Sequence, residues 1–355
     1  MDIKLSRLIG SGAHKNAYSI QNEPEVVALV PKPGHSRNVR QEMKQLREIQ
    51  NKTNNSAFLV FETENERTIS SDLYLVPKAT QDLTGYIEKN SSPISAQSCL
   101  TIMRSSLSGI AVLHEKNIVH GDLKHPNILM FETESKISDF GQARLFSSQD
   151  EIGVYLGDTL FQGPEGVSSQ KGDVYAAGII FADLLNAALV GDKQKLEDYL
   201  VQAKVNSQSR SVKSFLCDLV RFLLYYFFDK VQDCVSLRQE TTKNYIADMK
   251  ENLHTKVLNK ELSHKDACIF LVLIKLTEDM LNTNAEQRPS AEQAGLRAQT
   301  VSQSIQKAAE ERCNDLLNKT EISPEEEMEV KDLIELCLEL NLLEAHKEDF
   351  PPSRE

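Results

Sequence analysis

The chain has no C-x-x-C pair. Its six cysteines, Cys99, Cys217, Cys234, Cys268, Cys313 and Cys337, are widely scattered. That argues against a cysteine zinc site and a disulfide framework, and fits reduced thiols in a cytosol. An excess of basic charge is missing too. The net charge is −12, which speaks against general affinity for nucleic acid, where lysines and arginines must neutralise phosphates. Met1–Leu5 lacks the apolar run of a signal peptide. No apolar stretch reads as a membrane span. Phe215–Phe228 is broken by Asp218 and Arg221, and Ala267–Leu276 is too short for a bilayer. Both are expected as buried helices. Internal repeats and low-complexity linkers are absent, although Ile322-Ser323-Pro324 reads as a joint.

What is present is ordinary for a soluble globular chain. Apolar residues make up 40% and charged residues 26% of 355 positions, long enough for two domains or one two-lobed fold. Residues 4–30 alternate apolar and polar in short runs with glycines between them, as β-hairpins do. From Arg37 to Gln50 the period changes. Val39, Met43, Leu46 and Ile49 fall three or four apart, which predicts a helix. Phe58–Phe61 and Leu73–Val76 are strand-like, and Pro77 stops the pattern. From about Leu83 onward the chain reads as mainly helical.

The densest chemistry lies in Ile118-Val119-His120-Gly121-Asp122-Leu123-Lys124-His125-Pro126-Asn127-Ile128-Leu129. An acid stands five residues before an amide, with a lysine between them. Ser138-Asp139-Phe140-Gly141 follows. Phosphoryl transfer needs these parts: a carboxylate for a hydroxyl proton, a lysine for phosphate charge, and oxygen ligands for magnesium. Near the start, Gly10-Ser11-Gly12 follows a strand, where backbone amides can approach phosphate oxygens. A simple hairpin turn would look the same.

The HxDLKxxN block followed by DFG resembles the catalytic loop and metal-binding turn of the eukaryotic-type protein kinases, in an HGD, non-RD variant. Three later motifs extend the likeness. Gly163-Pro164-Glu165 resembles the APE motif. Asp173-Val174-Tyr175-Ala176-Ala177-Gly178 resembles the start of the central helix, whose aspartate braces the catalytic loop. Arg288-Pro289-Ser290 resembles the late motif whose arginine pairs with the APE glutamate, here Glu165. The matches run from Leu8 to about Ala294.

The resemblance implies an α+β, two-lobed kinase-like fold, with a β-rich small lobe over about 1–80 and a helical large lobe over about 81–300. A helical insert is expected at about 187–265, since 115 positions separate Asp173 from Arg288. Residues 301–355 would form a helical acidic extension. The implied activity is ATP- and Mg2+-dependent transfer of a phosphoryl group to serine or threonine on a protein substrate. Asp122 would be the base and Lys124 the phosphate-stabilising residue, with Asn127 and Asp139 holding the metal. Gly10 and Gly12 would cover the nucleotide. The third glycine of the loop is Lys15, which could itself touch phosphate. The ATP-orienting lysine is harder to place. Val27-Ala28-Leu29 resembles its strand, but Val30 stands at its position. A slip or bulge around Pro31 would deliver Lys32, with Glu42 as its helix partner and Glu48 in reserve.

Two departures shape regulation. Gly121 replaces the arginine that holds an activation-loop phosphate in the family, so phosphorylation at Ser147, Ser148, Tyr155 or Thr159 lacks that partner, and activity is expected not to depend on it. Asp158 stands where a threonine is usual. Rival readings are a pseudokinase scaffold that presents the 187–265 insert or the tail to a partner, and a kinase of a small-molecule or lipid acceptor. Glu321–Glu355 carries 12 acidic and 3 basic residues, a net of −9. Glutamate-rich ends of this kind resemble the secretion signals of bacterial type IV effectors, which suggests an effector kinase acting in a host cell's cytosol.

Overall fold

A computed structural model of the protein describes residues 3–61 apart from Ala13 and Asn55, 73–89, 93–190 apart from Thr133, and 238–301 apart from His254, Leu258 and Lys260. The small lobe is a four-stranded antiparallel sheet in the order β1 (Leu5–Ser11), β2 (Lys15–Ile20), β3 (Glu23–Pro31) and β4 (Tyr74–Pro77). Its two faces follow from strand alternation. Ala17 lies opposite Leu29, and Lys15 opposite Pro31. Val27, Val76, Ala17 and Leu29 pack together with Leu129 from the large lobe, while Ile20, Ala28 and Leu75 form a separate cluster on the other face.

Helix α1 (Ser36–Lys52) buries Val39, Met43, Leu46 and Ile49, the stripe its spacing predicts. Phe58–Phe61 departs from the strand reading. Leu59 makes an isolated parallel bridge to Ile137, and the Val60 amide donates to the Ile137 carbonyl at 2.9 Å. Leu59, Val60 and Phe61 are all buried, so burial against the large lobe, rather than a sheet ladder, holds the segment.

Thr80 enters the large lobe by donating its amide to Met130 at 2.9 Å. There β5 (Gln81–Asp82) leads into α2 (Leu83–Lys89), and α3 (Ala96–Glu115) follows, its first turn capped by Ser95, whose side chain accepts from the Ser98 amide. The short strands β6 (Ile118–Val119), β7 (Ile128–Met130), β8 (Ser135–Ile137) and β9 (Arg144–Leu145) carry the catalytic loop and the metal turn between them. Hydroxyls of Ser105 and Ser106 meet the Ser135 hydroxyl at 2.7 and 2.8 Å, which satisfies polar groups that would be costly to bury alone.

Helix α4 (Gln170–Leu189) is long and apolar enough to cross a membrane by length and composition, yet 94% of that stretch is buried inside the protein. It is the core helix, packed against α3 and the helix His264–Met280. That last helix contains Ala267–Leu276 and buries Ile269, Phe270, Leu273, Ile274 and Leu276. Residues 238–253 are helical. Much of the expected insert, Phe215–Phe228 included, and the whole acidic extension beyond Val301 lie outside the described residues.

Candidate active site

The catalytic loop is braced from below. Asp173, 3% exposed in the first turn of α4, accepts the His120 amide at 2.8 Å and the Gly121 amide at 2.9 Å. Its Oδ2 also meets His114 Nε2 at 3.0 Å. Several polar partners therefore surround a buried carboxylate, as burial demands. Holding two successive amides on one carboxylate requires an unusual backbone. Gly121 has φ +73°, and a Cβ there would stand 3.1 Å from the Gln142 carbonyl oxygen and 3.3 Å from Ser168 Oγ. Glycine at this position is thus a backbone requirement here as well as a missing side chain. Across the loop, Asn127 Nδ2 donates to the Asp122 carbonyl at 2.8 Å, and His120 Nε2 lies 3.0 Å from the Ser138 carbonyl, joining loop to metal turn.

Asp122 is held on both oxygens. Oδ2 accepts from Lys124 Nζ at 2.6 Å, and Oδ1 accepts from the Asp158 amide at 2.8 Å. Burial works against the Lys124 charge, but the carboxylates of Asp122, then Asp158 and Asp139, outweigh it and raise its pKa. Asp139 takes a left-handed backbone, φ 62° and ψ 70°, a strained setting that is common at working sites. Its neighbour Phe140 is buried, stacked 6.2 Å from Phe61 and 5.5 Å from the His120 ring. This arrangement leaves the Asp139 side chain 44% exposed. Burial would raise the Asp139 carboxyl, but Lys15, Lys124 and His120 hold it below the usual carboxylate range.

The lysine at Asp139 is not Lys32. Lys15 Nζ contacts Glu42 Oε1 on α1 and stands 3.4 Å from Asp139 Oδ1. Burial opposes the Lys15 charge, yet Asp139 and Glu42 together raise its pKa. For Glu42, burial and then the Asp139 charge push upward against the pull of Lys15. Lys32 pairs with neither acid. Its amide donates to the His14 carbonyl at 2.8 Å, which continues the β2–β3 ladder one step beyond Lys15 opposite Pro31. Successive strand residues point to opposite faces, so Lys32 falls on the face away from Leu29 and the cleft. No slip around Pro31 occurs to bring it over. Of the two helix acids, Glu42 faces the site and Glu48 is exposed.

Between the lobes lies a cleft of about 960 Å³. Gly10, Ala17, Val27 and Leu29 roof it, Leu129 floors it, and Lys124 and Asp158 stand at its large-lobe side. Gly12 closes the β1–β2 turn by donating its amide to the Lys15 carbonyl at 2.9 Å. Among the described residues there is no cluster of three His, Cys, Asp or Glu that would cage a metal unaided. Magnesium does not need one. It is usually held by one or two carboxylates together with phosphates and water. Asp139, its side chain 44% exposed, could supply such a carboxylate. Asn127, whose Nδ2 is spent on the Asp122 carbonyl, has an amide oxygen that could serve as a second ligand.

The segment after the metal turn is fixed at both ends. Asp158 accepts from the Leu160 amide at 3.1 Å while its own amide serves Asp122, and Tyr155 Oη donates to the Asp158 carbonyl at 2.8 Å. At the far end Glu165 meets Arg288 through two bonds of 2.7 and 2.8 Å, the pair its sequence motif predicts. Arg288 Nε also donates to Asn282 at 2.6 Å, and the guanidinium lies 4.7 Å from the Tyr175 ring centre. Two features escaped the sequence reading. Arg144 brings its guanidinium within 3.2 Å of where a Cβ of Gly153 would stand, so a cation does sit beside the segment. Asp183 of α4 pairs with Arg238 and lies 3.1 Å from His125 Nε2, all three buried. Against the cost of burial, Arg238 and His125 hold the Asp183 carboxyl below its usual range.

A strand-rich lobe over a helical one, with an acid, a lysine, an amide and a second acid gathered on the loop and turn between β6 and β9, has the arrangement of a kinase-class domain. Comparison with known proteins agrees. A protein kinase domain profile matches residues 3–297. The chain belongs to the protein kinase domain family. The family implies ATP, magnesium and protein substrates in general. Its similar relatives include cyclin-dependent kinase 20 of Danio rerio, 34% identical over 113 residues, 30% of this chain and 33% of that protein. The serine/threonine-protein kinase PrkC of Bacillus subtilis is 34% identical over 128 residues, 34% of this chain and 20% of the relative. The serine/threonine-protein kinase atg1 of Dictyostelium discoideum is 27% identical over 205 residues, 52% of this chain and 30% of the relative. The chain thus spans a third or less of the length of each.

Proposed function

We propose that the protein is an active ATP- and magnesium-dependent serine/threonine protein kinase whose activity does not require activation-loop phosphorylation. The observation that carries this reading is the ordered pair Asp122–Lys124, whose lysine lines the cleft, with Asp139 half exposed beside Lys15. Asp122 receives or orients the substrate hydroxyl proton. Lys124, already charged and beside it, offsets charge on the phosphoryl group in flight. Magnesium, when bound, neutralises the nucleotide phosphates, and Asp139 and Asn127 are the residues that would hold it. Lys124 favours a serine or threonine acceptor, as the resemblance of its motif to serine/threonine kinases implies, and two similar proteins carry that name.

Independence from loop phosphorylation is supported by how the segment is already tied. The Asp158 amide sits on Asp122, and Glu165 is clamped by Arg288. Gly121 offers no side chain for a phosphate to meet. The test is incubation with labelled ATP and magnesium beside Asp122→Ala and Asp139→Ala variants. Transfer by the wild type and its loss in both variants is expected. No autophosphorylation, no transfer to generic acceptors and no thermal shift with MgATP would overturn the reading.

A further inference from the structure

We propose that Lys15, on β2, is the lysine that holds the nucleotide phosphates, and that the β3 strand of this protein has given up that role. The inference rests on the kinase reading and says which residue completes its nucleotide site. In kinases the lysine that pairs with the phosphates comes from β3 and is positioned by a glutamate of the following helix. Here β3 cannot supply one. Its cleft face runs Val27, Leu29, Pro31, and Pro31 has no amine. Val30 and Lys32 belong to the opposite face, by the alternation of the strand. Lys15 stands directly across from Pro31, on the cleft face with Ala17.

The charges have followed the amine rather than the strand. Glu42, the buried-side acid of α1, contacts Lys15, and Asp139 of the metal turn is 3.4 Å away. An ammonium on the cleft face, fixed by a helix glutamate beside a metal-binding aspartate, is the environment a phosphate anchor requires. A lysine recruited only for fold stability would not need the Asp139 carboxylate, which the fold leaves 44% exposed. The change also accounts for the missing third glycine of the loop, because Lys15 occupies that place. It removes the main argument for a pseudokinase, the lack of an anchor on β3.

An ATP acyl-phosphate probe tests this on the wild-type chain. An amine beside the phosphates attacks the acyl carbon. The acyl–oxygen bond breaks, an amide forms on the lysine, and ATP leaves. Mass spectrometry should find the label on Lys15, prevented by excess ATP, and not on Lys32. Lys15→Met should then lower phosphoryl transfer about 10²–10³-fold, the usual loss for a preorganised charge donor, with circular dichroism unchanged. Lys32→Met should stay within about threefold, because Glu42 and Asp139 pair with Lys15 instead. ATP-preventable labelling of Lys32 with Lys15 unlabelled, or loss of transfer in Lys32→Met alone, would overturn the assignment while leaving the kinase reading intact. If no lysine is labelled and MgATP gives no thermal shift, the kinase reading itself fails and takes this inference with it.

Discussion

Removing Glu165 should cost the protein more than any other single side chain of the activation segment. Its partner Arg288 has a fully buried side chain, and Glu165→Ala would strand that charge. Breaking a buried ion pair in this way costs about 3–5 kcal/mol. Two features of the site pull the figure to the lower end. The Glu165 side chain is 20% exposed, so water can partly replace it. Arg288 also keeps the carbonyls of Asn282 and Lys171 and the Tyr175 ring. About 3 kcal/mol is therefore expected for Glu165→Ala. Glu165→Gln retains an acceptor and should lose about 1.5 kcal/mol, the worth of a charge-assisted bond. Urea unfolding reads both, as a fall in midpoint at unchanged slope. Because the segment between Asp122 and Glu165 carries Asp158, transfer should fall with stability. A loss for Glu165→Ala below about 1 kcal/mol, or one no larger than that of Glu165→Gln, would refute the reasoning from buried charge.

Gly121→Ala should destabilise the fold by about 1–2 kcal/mol, the cost of a Cβ in left-handed backbone, and a melting temperature equal to wild type would count against the strain argument. Asp158→Pro keeps the local φ of −72° but removes the amide donated to Asp122. Turnover should fall roughly tenfold or more, as the loss of a bond to a charged group implies, and a turnover equal to that of Asp158→Asn would show the amide to be idle. Replacing Ser147, Ser148, Tyr155 and Thr159 together, by alanine or phenylalanine, should leave phosphoryl transfer within a few-fold. A collapse in rate would mean that a phosphate is needed, with Arg144 its evident partner. Asp183 titrates below the usual carboxylate range in the folded state. Its stabilisation is therefore present above the unfolded pKa of about 4 and lost as pH falls through the lower folded value. Acid unfolding of Asp183→Asn should show a shallower pH dependence than wild type, and parallel curves would contradict the assignment.

The catalytic loop was legible because its chemistry is local. Asp122, Lys124 and Asn127 fall within six residues, and chain geometry alone brings them together. Helix α1 was legible because four apolar residues at helical spacing can bury only on one face. The nucleotide lysine was a different problem. Which of Lys15 and Lys32 faces the cleft depends on strand register, and a slip of one residue reverses every side chain. That register is a property of two strands and cannot be read from either. A signal was there, in the proline at the cleft-facing end of β3, across from a lysine where a glycine is expected. The tie between Asp183 and Arg238 bridges 55 positions, and neither residue stands in a motif. Phe58–Phe61 had strand composition, but it makes a single bridge to Ile137, the last residue of β8 in the other lobe, rather than a ladder.

Lys15 touches three separately built pieces of the molecule: its own sheet, the helix that carries Glu42, and the turn that carries Asp139. A residue so placed works like a latch between the halves of the protein. The lobes cannot swing apart without first pulling an amine away from an acid. The strand that bears this latch also runs directly out of the Gly10–Gly12 turn. Lifting that turn and releasing the latch are therefore one movement, and the entry of a nucleotide and the spreading of the lobes share a single mechanical coordinate.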